Sequence, residues 1–252
     1  MTISTDLRGA RAFVTGASSA GLGAHFACTL ARAGAEVVVA ARRLEPLEAL
    51  VARIAETGGI ARAVTVDVAD AASVAAALDA AGPIDIVVNN AGVERSGPVL
   101  EIGEDDYDHV LDINLKGVWL VATEAARRMR TAGTGGSIIN IASITGHRGM
   151  FGVAPYSISK AGVLHLTRQL AWSLARYDIR VNSISPGYFE TELNRALVDD
   201  AAFSDWLCKR TPAGRWGRVD ELCGAAIFLA SAASDFVNGQ TLFVDGGLTS
   251  AV

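Results

Sequence analysis

The chain has 252 residues, half of them hydrophobic and 19% charged, with a formal net charge of −5. That balance excludes a disordered chain, and the lack of a dense Lys/Arg run argues against nucleic acid or an anionic membrane as partner. Cys28, Cys208 and Cys223 are widely spaced, with no CxxC and no His partner nearby, so neither a disulfide framework nor a metal site is expected.

Residues 1–11 carry neither the basic start nor the apolar stretch of a signal peptide, and no apolar run reaches membrane-span length, so a cytoplasmic location is expected. Short β-branched runs then fall at 12–15, 37–40, 63–66, 84–88, 137–141, 180–184 and 242–244. Ala- and Leu-rich helical stretches fall between them at 21–33, 44–56, 71–80, 104–130, 155–176 and 219–230. Strands that are apolar throughout, alternating with helices, indicate an α/β fold. The expected architecture is a single doubly wound, Rossmann-like sheet of seven parallel strands with helices on both faces. No linker or repeat divides residues 1–252, so one domain is expected. Residues 188–217, mixed polar and aromatic after a strand, suit a partly helical substrate lid. Arg127, Arg128 and Arg130 read as a solvated helix end or a subunit contact.

Ligands of such a sheet sit at the carboxyl ends of the strands. After the first strand comes Gly16-Ala17-Ser18-Ser19-Ala20-Gly21-Leu22-Gly23, opening a helix. There glycines permit a tight turn and free N–H groups can hold a pyrophosphate. After the second strand, Ala40-Ala41-Arg42-Arg43 lacks the acid that would bind a ribose 2′-OH and offers arginine for a 2′-phosphate, which favours NADP(H) and leaves NAD(H) open. The third and fourth strands end in Val66-Asp67-Val68 and Asn89-Asn90-Ala91-Gly92. Ser143 follows the fifth strand, and Tyr156 and Lys160 stand at i and i+4 of one helix. A nearby ammonium favours a phenolate, which suits Tyr156 to acid–base work, and a Ser hydroxyl can hydrogen-bond an oxygen whose charge changes.

Taken together these motifs resemble the short-chain dehydrogenase/reductase family over essentially the whole chain, Pro186-Gly187 and Val244-Asp245-Gly246-Gly247 included. One departure stands out. The family's first loop reads TGxxxGxG, whereas four residues separate Gly16 from Gly21 here. The resemblance implies an oxidoreductase that interconverts a secondary alcohol and a ketone by hydride transfer. Its tetrad would be Asn114, Ser143, Tyr156 and Lys160: Tyr156 moves the proton, Ser143 orients the substrate oxygen, Lys160 tunes Tyr156 and binds the nicotinamide ribose, and Asn114 positions a water. Cofactor contacts implied are Gly16, Ser18, Ser19, Gly21, Leu22, Gly23, Arg42, Asp67, Val68, Asn90, Ala91, Gly92, Tyr156, Lys160, Pro186, Gly187 and Thr191. A homotetramer joined through helices 104–130 and 155–176 is also implied.

For substrate contacts the sequence offers Glu94, Ser143, His147, Phe151, Tyr188 and Trp206, with Met150, Val153 and Leu193 leaning apolar, so a hydrophobic ketone or alcohol fits; sugars and steroids stay open. Reduction of a 3-oxoacyl thioester is an alternative that would need a basic docking face for the acidic carrier. A non-catalytic dinucleotide-binding sensor is the alternative from another class.

Overall fold

The structure, a computed structural model, describes residues 4–18, 21–192 and 194–250. Ser19 in the glycine loop and Leu193 in the lid therefore lie outside the described residues. Seven strands, β1 (Arg11–Thr15), β2 (Glu36–Ala41), β3 (Ile60–Thr65), β4 (Ile86–Asn89), β5 (Gly136–Ile141), β6 (Ile179–Pro186) and β7 (Thr241–Val244), form one all-parallel sheet in the order β3-β2-β1-β4-β5-β6-β7. The chain winds outward in both directions from β1 and β4, so a crevice opens between their carboxyl ends, where such a sheet takes its ligand.

Both faces of the sheet are covered, which is why the central strands carry side chains that are apolar on both sides. On one face α1 (Leu22–Arg32), α2 (Leu44–Glu56) and α9 (Val219–Ala230) bury Phe26, Leu30, Leu47, Ile54, Leu222 and Leu229 against Val14, Val37 and Val39. On the other, α3 (Ala71–Ala81), α5 (Gly117–Ala132) and α6 (Ala154–Leu174) bury Val74, Leu78, Val121, Met129 and Leu170 against Phe13, Val38 and Ile138.

Two elements differ from the sequence reading. The third strand is Ile60–Thr65, not 63–66, and it is not apolar throughout. It is an edge strand whose outer side faces solvent, so it carries Arg62, whose guanidinium bonds the last carbonyls of α3 at Ala80 and Ala81. The long helix expected over 104–130 is α4 (Glu104–Leu111), one π-helical turn (Asp112–Lys116) and α5. The wider turn carries Asn114, whose side chain holds the loop after β4 at both polar atoms of Val93; such turns recur at functional positions.

Beyond β6 the expected lid contains α7 (Arg195–Asp199) and α8 (Ala201–Arg210). Its base is an aromatic cluster, with Tyr188 edge-on to both Phe203 and Trp216 at 5.7 and 5.6 Å. Among the described residues no helix is long and apolar enough to cross a membrane, and no cluster of His, Cys, Asp or Glu could hold a metal ion.

Candidate active site

A cavity of about 1380 Å³ runs along the carboxyl ends of the strands from Arg42 and Arg43 to the lid, longer than a single small ligand requires. Its first half is built on close backbone approach. Gly16 has φ of +68°, and a Cβ there would stand 2.7 Å from the Ala91 Cα; a Cβ on Gly23 would stand 2.5 Å from both the Asn90 Nδ2 and the Gly16 carbonyl oxygen. Glycine is required at both places. Asn90 fixes the turn by donating from Nδ2 to the carbonyls of Thr15 and Gly16, at 3.1 and 3.2 Å. The Thr15 hydroxyl accepts from the N–H groups of Asn90 and Ala91 at 3.0 and 3.1 Å. Loop and helix start are thus tied to the end of β4, leaving a cradle with no Cβ at Gly16 and Gly21 that fits a pyrophosphate at a helix N-terminus.

The cavity reaches most of the cofactor contacts expected from the sequence: Gly16, Ser18, Gly21, Leu22, Arg42, Asp67, Val68, Asn90, Ala91, Gly92, Tyr156, Lys160, Pro186, Gly187 and Thr191 all line it. Gly23 does not; it sits behind the cradle as a packing position. Beside the arginines, Ala41 ends β2 where an acid would otherwise meet a ribose hydroxyl, and Arg43 joins Arg42 as a second cation.

The second half gathers the residues expected to carry the chemistry. Ser143 and Tyr156 line the cavity together, and the Ser143 hydroxyl also receives the Thr145 hydroxyl at 3.1 Å. The Tyr156 phenol is pushed up to about 12, raised most by burial and further by the Glu94 carboxylate against the pull of a hydrogen bond with Ser143. Burial also brings the Lys160 ammonium down to about 8; it donates to the Ile141 carbonyl at 2.8 Å and stands 5.5 Å from the centre of the Tyr156 ring. A cation held there favours phenolate over phenol. Asn114 does not line the cavity. Its Nδ2 donates to Ser159 at 3.2 Å, and Ser159 in turn donates to the Tyr156 carbonyl at 2.6 Å, so Asn114 reaches the helix of Tyr156 and Lys160 through one hydroxyl.

These two shifts make stability depend on pH. The folded chain carries Lys160 below its ordinary value of 10.5, so between about pH 8 and that value the unfolded chain binds a proton the folded chain has shed, and stability rises with pH. Tyr156 acts in the opposite sense between 10.0 and about 12, where the folded chain keeps the proton. The melting temperature of cofactor-free protein is therefore expected to gain on that of a Lys160→Met variant as pH rises from 8 toward 10; parallel curves would contradict the burial of a charged Lys160.

Of the substrate contacts expected from the sequence, Glu94, Ser143, Phe151 and Tyr188 line the cavity, as do Met150 and Val153. His147 and Trp206 do not. The His147 ring packs on Phe243 at 5.2 Å, and Trp206 lies on α8 one turn beyond Phe203, which takes the lining place while Arg210 stacks over the indole. Phe203 and Trp206 share one face of α8, so helical spacing alone does not separate the two positions. Thr15, Ser159 and Phe203 were missed. Two had a local signal: Thr15 as the first residue of the TGxxxGxG loop, and Ser159 as a hydroxyl three residues after Tyr156 in a helix, where it can reach a backbone carbonyl.

The basic stretch is neutralised within the chain, with Arg127 and Arg128 paired to Glu124, Arg128 also to Asp79, and Arg130 over the Tyr177 ring. It therefore offers little free charge for docking an acidic carrier.

Comparison with known proteins agrees with this geometry. A family model described as Enoyl-(Acyl carrier protein) reductase matches residues 16–249. The chain is 46% identical over 248 residues to a gluconate 5-dehydrogenase of Gluconobacter oxydans, covering 97% of this chain and 96% of that protein. A crystal structure of a gluconate 5-dehydrogenase from Burkholderia cenocepacia in complex with NADP and tartrate is 54% identical with a TM-score of 0.94, covering 98% of each chain. A crystal structure of a putative 2-deoxy-D-gluconate 3-dehydrogenase from Agrobacterium tumefaciens with bound NADP is 44% identical, TM-score 0.92, again over 98% of each chain. This chain belongs to the short-chain dehydrogenase/reductase family, oxidoreductases that interconvert secondary alcohols and ketones with a nicotinamide cofactor.

Proposed function

We propose that the protein is an NADP(H)-preferring oxidoreductase acting on a polyhydroxylated chain of the gluconate type, at a secondary carbon remote from the carboxylate. The observation that carries this reading is the lining of the chemical half of the cavity. Around Ser143 and Tyr156 the cavity is lined by Glu94, Ser96, Thr145, Thr191 and Asn194, side chains that keep donors or acceptors to spare beyond their bonds within the chain and so suit a substrate with several hydroxyls. Relatives named for gluconate and its keto forms support it.

NADP(H) supplies or accepts the hydride when bound. The chain's own part is to hold the substrate oxygen against the Ser143 hydroxyl and to pass a proton at the Tyr156 phenol, with Lys160 favouring the phenolate and Asn114 positioning the helix that carries both. Initial rates test the substrate class. Oxidation of gluconate with NADP⁺ and reduction of 5-ketogluconate with NADPH should exceed, in kcat/KM, the reduction of apolar cyclic ketones; the reverse order would overturn the reading.

Cofactor choice rests on Arg42, supported by relatives crystallised with NADP. A charge-assisted hydrogen bond contributes about 1.5–3 kcal/mol. Arg42→Ala is therefore expected to cut kcat/KM for NADPH roughly tenfold to a hundredfold while leaving NADH nearly unchanged, read from steady-state rates with both cofactors.

The remaining assignments belong to the same proposal. Residues 1–252 act as one domain, with 188–217 as its substrate lid. The location is cytoplasmic, in keeping with three free thiols. The assembly is a homotetramer, for which the exposed Trp119, Ile158 and Trp172 on α5 and α6 offer an apolar face.

A further inference from the structure

The chemical half of the cavity has a charge pattern that the reaction itself does not require. Among the described lining residues the cations are Arg42, Arg43 and Lys160. The two arginines follow β2 at the far end, and Lys160 is buried and bonded to the Ile141 carbonyl. The carboxylates lining the cavity beyond Asp67 are Glu94 and Glu192, and of these Glu94 acts on Tyr156. Arg95, adjacent in sequence to Glu94, is turned away and bonds Asp106 at 3.2 Å and the Glu94 carbonyl at 3.3 Å. The Glu94 side chain is exposed to the cavity, its Oε1 accepting from Ser96 at 2.6 Å and its Oε2 without a partner among the described residues.

We propose that Glu94 determines specificity: its carboxylate accepts hydrogen bonds from hydroxyls next to the reacting carbon and bars a second negative charge from that end of the cavity. This rests on the polyhydroxy reading above and refines it. A carboxylate accepts from hydroxyls and offers nothing to another carboxylate, and like charges a few ångströms apart in a partly enclosed site repel strongly. A substrate that carries its own carboxylate must therefore react several carbons away from it, as carbon 5 of a six-carbon acid does and carbon 2 does not. Among the described residues, Lys160 from α6 and Glu94 from the loop after β4 are the charged groups that act on Tyr156, and Tyr188 from the loop after β6 also feels Glu94. Glu94 is the one that disfavours the phenolate.

Glu94→Gln tests this, because Gln keeps the shape and an oxygen for Ser96 while removing the charge. Three ketones are compared in the full-length enzyme with NADPH: 5-ketogluconate, 2-ketogluconate and fructose, the last sharing the carbon 2 ketone without the acid. The wild type should disfavour 2-ketogluconate relative to fructose, and the variant should raise that ratio roughly tenfold or more. The tyrosinate absorbance of the NADP⁺ complex, with Tyr156→Phe as blank, should titrate at lower pH in Glu94→Gln than in wild type. An unchanged ratio together with an unchanged titration overturns the proposal, and so does a wild type that uses 2-ketogluconate as well as fructose. A wild type that rejects 5-ketogluconate yet discriminates fructose from 2-ketogluconate would remove the gluconate reading and leave the role of Glu94 standing. With no turnover of any ketone the titration decides alone.

Discussion

Tyr156→Phe is expected to lower kcat by about 10²–10⁴-fold, the range that positioned acid–base groups contribute, while the affinity for NADPH and the melting temperature stay close to wild type. The substitution keeps the ring that stands 5.5 Å from the Lys160 ammonium and removes only the oxygen that meets Ser143. Packing and cofactor contacts therefore survive, and the loss falls on the chemical step. Burial and Glu94 hold the phenol protonated in the cofactor-free chain, so proton release depends on charge gathered around it: the hydrogen bond from Ser143, the ammonium of Lys160 and the positive ring of an oxidised nicotinamide. Stopped-flow and steady-state rates, with fluorescence titration of NADPH, separate the two effects. Turnover retained in Tyr156→Phe would remove Tyr156 from proton transfer.

Gly23→Ala should be nearly as damaging and for a different reason. Its Cβ would lie 2.5 Å from the Asn90 Nδ2 and from the Gly16 carbonyl oxygen, and 2.9 Å from the Gly16 carbonyl carbon. Two of those three atoms are backbone, so α1, the glycine turn and the end of β4 must separate. Overpacking of this kind costs about 1–3 kcal/mol, which for a chain of this size lowers the melting temperature by about 2–4 °C per kcal/mol. The cradle opens as it shifts, and NADPH should bind at least roughly tenfold more weakly, since the loss of one well-placed charge-assisted hydrogen bond is already of that size. Gly224→Ala is the control, an exposed helical glycine of α9 with open space where the methyl would go. It should be neutral or stabilising by up to about 1 kcal/mol. Equal behaviour of the two variants would contradict the close approach at Gly23.

How much of this was legible in the sequence follows from which forces act locally. Helices α2 and α9 have the expected bounds because a helical period and flanking turn residues are local signals, and the parallel sheet was legible because strands covered on both faces lack alternation. The edge strand β3 was misplaced by three residues because its period depends on which side has no neighbour, and that is a tertiary fact. The π turn at Asp112–Lys116 was invisible for a similar reason: Asn114 reaches Val93 in another loop, and no spacing within the helix announces it. In the site, the residues that follow strands directly, Ser143 and Asn90 to Gly92, were found because topology brings all strand ends to one edge. For His147 and Trp206, position in the chain is the only feature that points to the pocket. The fold turns His147 onto Phe243 and puts Phe203 in the place expected for Trp206. Thr15 is the first residue of the TGxxxGxG loop, but its part in accepting from the N–H groups of Asn90 and Ala91 depends on β1 lying beside β4, a tertiary fact.

The most direct test of the account follows a label. NADPH carrying deuterium on its transferable position is incubated with 5-ketogluconate and the full-length protein, and the product is read by NMR. Deuterium is expected on carbon 5 of the reduced product, formed by the wild type and abolished in Tyr156→Phe. Label at another carbon, or equal labelled product from Tyr156→Phe, would contradict it.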